Sequence, residues 1–472
     1  MRHRHHRQYH IDMCEGTLWD KILSFALPLM LSSILQLLFN AADVVMVGRF
    51  VGKEALAAVG SNTSLINLLI NLFVGLSVGT NVVVARDLGA GRKDNVNRSV
   101  HTSIALALFS GVALMIFGAI MARQLLTWMS SPTDVIDLST LYLRIYFLGM
   151  PANMLYNFGS AILRAEGDTK RPLYYLTGAG VVNVVLNLIL VVFLDMSVAG
   201  VALATITAQY ISALLVLRCL ILEEGALHLD LKKLRMEGPV IRRIFQVGLP
   251  AGFQGVVFAL SNVVIQSSLN SFDSAVVVAG SSAASNIEGF VYVSMSAFSQ
   301  SAITFVGQNY GAAKCDRVNR IVCWCLGYVF ITGLVLGNLG YLFGETLLGI
   351  YAPGEDAVII QGMVRMGYIC RFYCICGVME VMVGVLRGLG YSVGPMVVAL
   401  MGGCGLRLLW IAVMFPLVRS TATLYVSYPI TWAVTTMVHM MVFFAIRKNA
   451  YHKVQLAYHH TEGKHPASPP RN

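Results

Sequence analysis

Long apolar segments separated by short polar loops make up most of the chain. A membrane-spanning α-helix needs about 20 predominantly apolar residues, and twelve segments meet that requirement. They lie near residues 23–46, 56–83, 99–121, 140–163, 173–194, 200–220, 245–270, 276–305, 321–344, 363–386, 396–416 and 424–446. Several contain polar residues, as expected of helices that line a water-filled path. The pattern predicts an all-α polytopic membrane protein with twelve transmembrane helices.

The composition excludes the main soluble classes of protein. Charged residues make up 12% of the 472 residues and hydrophobic residues 56%, whereas a soluble chain carries about 25% charged residues. So few charges cannot cover the surface of a soluble enzyme, a nucleic-acid-binding module or a disordered chain. We therefore expect a lipid bilayer around the protein and no nucleic-acid partner, despite the net charge of +10.

The distribution of Lys and Arg predicts how the chain crosses the membrane. If the N-terminus is cytoplasmic, 26 of the 34 basic residues lie in cytoplasmic segments and four lie in external ones. Cytoplasmic loops of membrane proteins carry such an excess of positive charge. The sequence therefore predicts a multi-pass protein of the inner membrane with both termini in the cytoplasm.

The chain repeats itself after about 222 residues. GAGRKDNVNR from Gly89 and GAAKCDRVNR from Gly311 match at six of ten positions, and LRAEGDTKRP from Leu163 aligns with LRGLGYSVGP from Leu386. Each repeat holds six predicted helices, an even number, so both repeats enter the membrane from the same side. Transporters built from such parallel repeats bind substrate between two lobes that move to give alternating access.

The repeat predicts two pseudo-symmetric six-helix lobes joined by a linker. The predicted organisation is a basic, His-rich cytoplasmic tail at 1–20, an N-terminal lobe at 21–222, a cytoplasmic linker at 223–243, a C-terminal lobe at 244–446 and a cytoplasmic tail at 447–472.

Three features of the sequence carry a family resemblance: Asp43 in helix 1, the two VNR loops, and the NVVLN stretch that starts at Asn183. With them the chain resembles the multidrug and toxic compound extrusion (MATE) family, in its bacterial NorM/DinF-like form. The resemblance covers residues 20–446. It implies a secondary antiporter in which an amphipathic, often cationic compound leaves the cell while H⁺ or Na⁺ enters. We therefore expect a monomer that binds small amphipathic organic cations and requires no cofactor besides the coupling ion.

Asp43 is the first candidate for ion coupling. No basic residue lies within five positions of it, and desolvation favours the protonated form of a lone acid, which suits a proton carrier. The resemblance implies Asn183, Asn187 and Thr205 as its partners in a cation or proton site. Relatives carry a second acid where this chain has Asn187, so H⁺ and Na⁺ both remain open. Alternatively, these partners hold Asp43 in a purely structural role.

Two further acids lie within predicted helices of the C-terminal lobe. Glu380 is either a functional acid or the structural partner of Arg407, which lies in the next helix. Glu288 has no obvious partner and either lines the substrate cavity or joins a polar cluster with Asn286. The candidates for the substrate cavity are Glu288, Glu380, Arg407, Asn157 and Tyr142, with Tyr146 and Tyr156 as further candidates for its wall.

Pro28 and Pro250 occupy equivalent positions in the two repeats. Each can bend its helix because proline removes one backbone hydrogen bond, and the resemblance implies a hinge in helix 1. The alternative is a proline in the first helical turn with no mechanical role.

The sequence lacks the main motifs of soluble catalysis. It contains no phosphate-binding Gly-rich loop followed by Lys-Ser/Thr, no Gly-x-Ser-x-Gly and no His-Glu-x-x-His. We therefore predict a transporter rather than an enzyme, without a metal site and with an ion gradient as its energy source.

One rival function is a flippase for lipid-linked saccharides, since such proteins share this architecture. Their substrates are anionic and require a basic cavity, whereas the acids inside the predicted helices of this chain outnumber the firmly buried bases. A membrane receptor or scaffold is a second rival, which the duplicated lobes disfavour. The sequence therefore favours export of amphipathic cations.

Overall fold

The computed structural model describes residues 9–128 and 135–462, and all regular secondary structure in these ranges is helical. The first repeat contains α1 (Trp19–Phe50), α2 (Lys53–Gly89), α3 (Lys93–Trp128), α4 (Ile136–Leu148), α5 (Met150–Glu166), α6 (Lys170–Asn187) and α7 (Ser197–Leu222). The second contains α8 (Gly238–Asn270), α9 (Ala275–Gly311), α10 (Cys315–Leu342), α11 (Gly344–Tyr351), α12 (Asp356–Ile369), α13 (Tyr373–Gly388), α14 (Val393–Ala399), α15 (Leu406–Leu417) and α16 (Thr421–Glu462). The predicted all-α class is confirmed.

Short helical segments of other types connect these helices. Two are π-helices, Leu188–Phe193 after α6 and Leu400–Gly405 between α14 and α15. Three are 3₁₀ turns, Gly225–Leu227, Leu231–Lys233 and Cys370–Phe372. Each π-helix continues a membrane-spanning helix in one of the two repeats.

Among the described residues, 11 helices are long and apolar enough to cross a membrane. The remaining predicted span, near 140–163, consists of α4 and α5, which are interrupted at Gly149. Pro151 explains the interruption, because it has no N–H to continue the hydrogen-bond ladder of α4. The last helix extends well beyond the predicted span at 424–446, while residues 1–8 and 463–472 of the predicted tails lie outside the described residues.

The chain forms two compact units. The first comprises Met1–His10, Phe25–Asn81 and Asp94–Leu260, and the second comprises Ile11–Ser24, Val82–Lys93 and Ser261–Asn472. In the first unit, α7 packs against α5 and α6; in the second, α9 packs along α10, α12 and α13. The lobe boundaries predicted at 21–222 and 244–446 stay a prediction.

The repeated loop motif makes a reciprocal contact within the second unit. A Cβ atom on Gly89 would lie 1.9 Å from the carbonyl oxygen of Gln308, and one on Gly311 would lie 2.1 Å from the carbonyl oxygen of Arg86. Gly89 and Gly311 are 222 positions apart, as are Arg86 and Gln308. Both glycines are therefore required by close approach of backbone, and the two contacts are copies of each other.

A second pair of related contacts holds the polar segments that precede α1 and α8. In the second unit, Arg317 at the start of α10 donates hydrogen bonds to the carbonyl oxygens of Met13, Glu15 and Gly16, at 2.7 to 3.2 Å. In the first unit, Asn97 at the start of α3 donates to the carbonyl oxygens of Ala226 and His228, at 3.3 and 3.0 Å. Side chains thus supply the donors that these irregular segments need.

Three carboxylates surround Arg171, which lies in the first turn of α6. Arg171 donates to Asp168 through Nε and to both oxygens of Glu223 through its terminal nitrogens, at 3.1 and 3.0 Å. Burial, followed by the nearby charge of Glu223, raises the pKa of Glu166 to about 8. The cluster therefore holds a proton on Glu166 at neutral pH.

Candidate functional site

The structure brings Asp43, Asn183, Asn187 and Thr205 together inside the first unit. Asp43 Oδ1 accepts hydrogen bonds from Asn183 Nδ2 at 3.0 Å and from Asn187 Nδ2 at 2.5 Å. Its Oδ2 lies 3.2 Å from Thr205 Oγ1. The side chain of Asp43 is buried, so a carboxylate within the predicted bilayer span is held by three neutral polar groups.

Helical spacing explains why these side chains meet. Asn183 and Asn187 are four positions apart on α6 and share one face of that helix. Thr205 lies on α7, which packs against α6. Asn187 is the last residue before the π-helix Leu188–Phe193, and wide turns of this type occur often at functional sites.

The two amide oxygens of this cluster are left without donors. Asn183 Oδ1 and Asn187 Oδ1 are buried and have no hydrogen-bond partner among the described residues. Thr205 shares its hydroxyl proton between Asp43 and the carbonyl oxygen of Val201, which is 2.9 Å away. The site therefore offers carboxylate, amide and hydroxyl oxygens, the ligand types that small hard cations prefer, and it also suits a proton.

Tyr142 belongs to the surroundings of this cluster. It is buried and stacks on Tyr146 with 6.0 Å between ring centroids, and both phenols lie close enough to Asp43 for its charge to act on them. Asn157, in contrast, bonds along its own helix to Asn153, at 2.8 Å to the carbonyl oxygen and 3.0 Å to Oδ1. Tyr142 thus lies within electrostatic range of Asp43, whereas the hydrogen bonds of Asn157 run to Asn153 on its own helix.

Glu288 has a partner that the sequence interpretation missed. Arg365 on α12 donates to Glu288 Oε1 at 2.9 Å and to Oε2 at 2.8 Å, and also to Ser281 at 2.9 Å. The expectation that Glu288 lacks a partner is therefore wrong. The available signal was Arg365 itself, a basic residue near the edge of a predicted span in the same lobe.

The alternative pairing of Glu380 with Arg407 is also wrong. Arg407 Nη2 donates to Thr431 Oγ1 at 3.2 Å, and its guanidinium carbon lies 4.0 Å from the ring centroid of Tyr428. The basic group whose charge acts on Glu380 is Arg387. Arg387 lies in the last turn of α13, the helix that also carries Glu380.

Both candidate hinge prolines lie well inside their helices. Pro28 follows nine residues of α1 and Pro250 follows twelve residues of α8, so the alternative of a first-turn proline is wrong for both. Each lacks the N–H that would bond to the carbonyl group four residues earlier. The role of these two residues as hinges stays a prediction.

The profile of the MatE family matches residues 28–189 and 250–413, one match in each repeat. The chain belongs to the MATE family. It is accordingly a multi-pass membrane transporter and not an enzyme. The two matched ranges start at Pro28 and Pro250, in agreement with the repeat of about 222 residues.

Curated MATE relatives resemble the chain over most of its length. The probable multidrug resistance protein YoeA of Bacillus subtilis is 26% identical over 430 residues, covering 89% of this chain and 92% of the relative. The probable multidrug resistance protein NorM of Thermotoga maritima is 24% identical, with coverage of 80% and 82%. A FAD transporter of Shewanella oneidensis is 23% identical, with coverage of 87% and 91%.

Solved MATE structures share the fold. A crystal structure of MATE in complex with MaL6 superposes with a TM-score of 0.86 at 21% identity, covering 93% of this chain and 98% of that chain. An outward-facing MATE transporter gives the same TM-score at 20% identity, with the same coverage. This similarity confirms the architecture of two repeated lobes.

Proposed function

We propose that this MATE protein exports small amphipathic organic compounds, often cationic, across the inner membrane in exchange for H⁺ or Na⁺. The observation that carries the proposal is the buried Asp43 cluster, an acid within a membrane span surrounded by amide oxygens that lack donors. An ionisable group in such a position is costly and marks ion pathways in transporters. Relatives named as multidrug resistance proteins support export of drug-like compounds.

The charge of the cluster supports exchange of a single ion. Asp43 is its sole acid, because Asn187 supplies an amide, so one H⁺ or one Na⁺ neutralises the site. Exchange of one monovalent cation for one monovalent cationic drug moves no net charge. The membrane potential, which contributes about 2.3 kcal/mol per transferred charge per 100 mV, therefore does not drive this exchange. Export of a neutral compound by the same cycle uses the potential as well.

The excess of Lys and Arg in the predicted cytoplasmic segments supports cytoplasmic termini. In that orientation the coupling ion enters from outside, binds Asp43 and leaves to the cytoplasm, while the compound moves in the opposite direction. Alternating access of the two lobes separates the two steps, and we expect the monomer to be sufficient.

Dye transport in proteoliposomes tests the proposal. A pH gradient and a Na⁺ gradient are imposed separately on wild type, Asp43→Asn and Asp137→Asn, using a cationic rhodamine ester. Asp137 is an exposed acid paired with Arg123 at 2.8 Å and serves as the matched control. We expect one gradient to drive uptake by wild type and the control, with loss of at least about tenfold in Asp43→Asn.

Two outcomes contradict the proposal. Gradient-driven uptake that persists unchanged in folded Asp43→Asn removes Asp43 from coupling. Absence of dye movement under either gradient, together with scrambling of a lipid-linked saccharide by the same protein, replaces the exporter with a flippase.

A further inference from the structure

The repeat allows the Asp43 site to be compared with the equivalent positions of the second repeat. An offset of 222 places Ile265 opposite Asp43, and the offset of 223 that holds from Leu163 onwards places Leu406 opposite Asn183 and Tyr428 opposite Thr205. The second repeat therefore has neither the acid nor this amide, and Ile265 is buried as an apolar residue. One position after Leu406 it carries a base, Arg407, where the first repeat has Val184.

Arg407 is buried with few polar contacts. Its side chain is 3% exposed, and its one hydrogen bond to a described residue is the bond to the neutral hydroxyl of Thr431. Its Nε is buried without an acceptor, and no carboxylate in the described part of the chain forms an ion pair with it. The charge of this guanidinium is therefore uncompensated in the described structure.

Arg365, in the same unit, is a buried arginine whose charge is neutralised by a carboxylate. Both carboxylate oxygens of Glu288 accept hydrogen bonds from it, and Ser281 accepts a third. An isolated charge removed from water costs several kcal/mol unless a counter-charge with good geometry accompanies it. Glu288 is already paired with Arg365. Arg365, Glu288 and Arg407 together therefore carry one net positive charge, which belongs to Arg407.

The surroundings of Arg407 suit an anion better than a cation. The guanidinium stacks on the ring of Tyr428, 4.0 Å from its centroid, which fixes the plane of its donors. The preceding π-helix, Leu400–Gly405, contains glycine at three of its six positions and carries no acidic side chain. A fixed planar fork of N–H groups matches the two oxygens of a carboxylate.

We propose that Arg407 is an anion-binding residue of the C-terminal repeat, which takes the carboxylate of a transported amphipathic compound. The two repeats thus differ in polarity, with an acid for the coupling ion in the first and, on a different helix, a base for the compound in the second. Compounds that carry a carboxylate together with an amine are the preferred class. This assignment rests on the proposed export function.

A matched pair of dyes tests the assignment by binding alone. One is a rhodamine with a free carboxylate, and the other is the methyl ester of the same dye. Fluorescence anisotropy with protein in nanodiscs compares wild type, Arg407→Gln and Arg371→Gln. Arg371 is the matched control, since it is an exposed arginine of the same unit that lies over the ring of Tyr341 at 5.4 Å.

We expect Arg407→Gln to weaken binding of the carboxylate dye about tenfold, or about 1.4 kcal/mol, while binding of the ester changes less than about twofold. The control retains the affinities of wild type for both dyes. Arg407→Lys keeps the charge but lacks the planar fork, so we expect a smaller loss for the carboxylate dye. This variant also provides a test if the Gln variant does not fold.

Three results overturn the assignment: equal changes for both dyes in the Gln variant, no change for either dye, or full affinity of the Lys variant for the carboxylate dye. A fourth result also overturns the assignment. Native mass spectrometry finds an anionic phospholipid bound to wild type but not to Arg407→Gln, and the two dyes show no difference in binding; the anion is then a lipid. Because binding needs no gradient, Arg407-dependent binding without transport refutes the export function and leaves the site intact.

Discussion

Arg365 Nε and Nη2 donate to the two oxygens of Glu288, at 2.9 and 2.8 Å, across 77 positions of sequence. The guanidinium also lies 5.7 and 5.9 Å from the ring centroids of Tyr425 and Tyr428. This pair joins α9 to α12 and neutralises an acid that sequence alone assigned to the substrate cavity. The assignment of Glu288 to the substrate cavity stays a prediction.

Replacing Arg365 with Met is expected to destabilise the protein by about 3–5 kcal/mol, because Glu288 then remains buried without a counter-charge. The double variant Glu288→Leu/Arg365→Met removes both charges and is expected to recover most of that loss. Unfolding monitored in detergent measures all three proteins. If the double variant is as unstable as the single one, the loss comes from packing and not from the orphaned carboxylate.

Replacing Arg407 with Met is expected to leave the unfolding temperature unchanged or to raise it. The substitution removes one hydrogen bond and a cation–π contact worth up to about 2 kcal/mol, but it also removes a charge whose burial costs several kcal/mol. The same unfolding assay checks this. A loss as large as that of Arg365→Met would indicate a counter-ion for Arg407 within the protein.

Replacing Asn187 with Asp adds a second carboxylate to the Asp43 cluster. Two adjacent carboxylates favour a bound cation more strongly than one, so we expect Na⁺ to bind roughly tenfold more tightly, about 1.4 kcal/mol. The Na⁺ concentration that gives half-maximal dye transport, or isothermal titration with NaCl, measures the change. Asn157→Asp, in an amide outside the cluster, is the control, and an equal gain there would contradict the explanation.

The stability of the protein is expected to fall as pH rises through about 8, because Glu166 holds a proton in the folded state. Its pKa is raised to about 8 by burial and by Glu223, whereas an unfolded glutamic acid titrates near 4.3. The folded state therefore binds more protons between these values, so stability is full below the lower value and declines through the upper one. Unfolding temperatures from about pH 6 to pH 9 measure the decline.

Glu166→Gln keeps a neutral side chain at that position and is expected to remove most of this pH dependence. Asp137→Asn, at an exposed acid, leaves the dependence as in wild type. A wild-type curve that stays flat through pH 8, or an unchanged slope in Glu166→Gln, would contradict the proton on Glu166.

The helices follow from local rules of sequence, and so does the shared face of Asn183 and Asn187, whereas the contact of these residues and Thr205 with Asp43 was implied by the resemblance to the MATE family. Apolar length defines a span, and the i, i+4 spacing of Asn183 and Asn187 places two amides on one face. Partners across helices are different. Glu288 and Arg365 meet because α9 packs on α12, and no spacing rule contains that information. Arg407 lies next to the helix of Glu380 in the chain, yet its side chain contacts α16.

The contact of Gly89 with Gln308 and of Gly311 with Arg86 has a consequence for the two repeats of the chain. In a symmetric dimer, residue i of one copy contacts residue j of the other, and the reverse contact occurs as well. Here both contacts occur within one polypeptide. The two contacts thus reproduce, inside one chain, the reciprocal pattern of a two-fold interface. A side chain with a Cβ atom at either glycine would break only one of the two contacts, because each position is encoded separately.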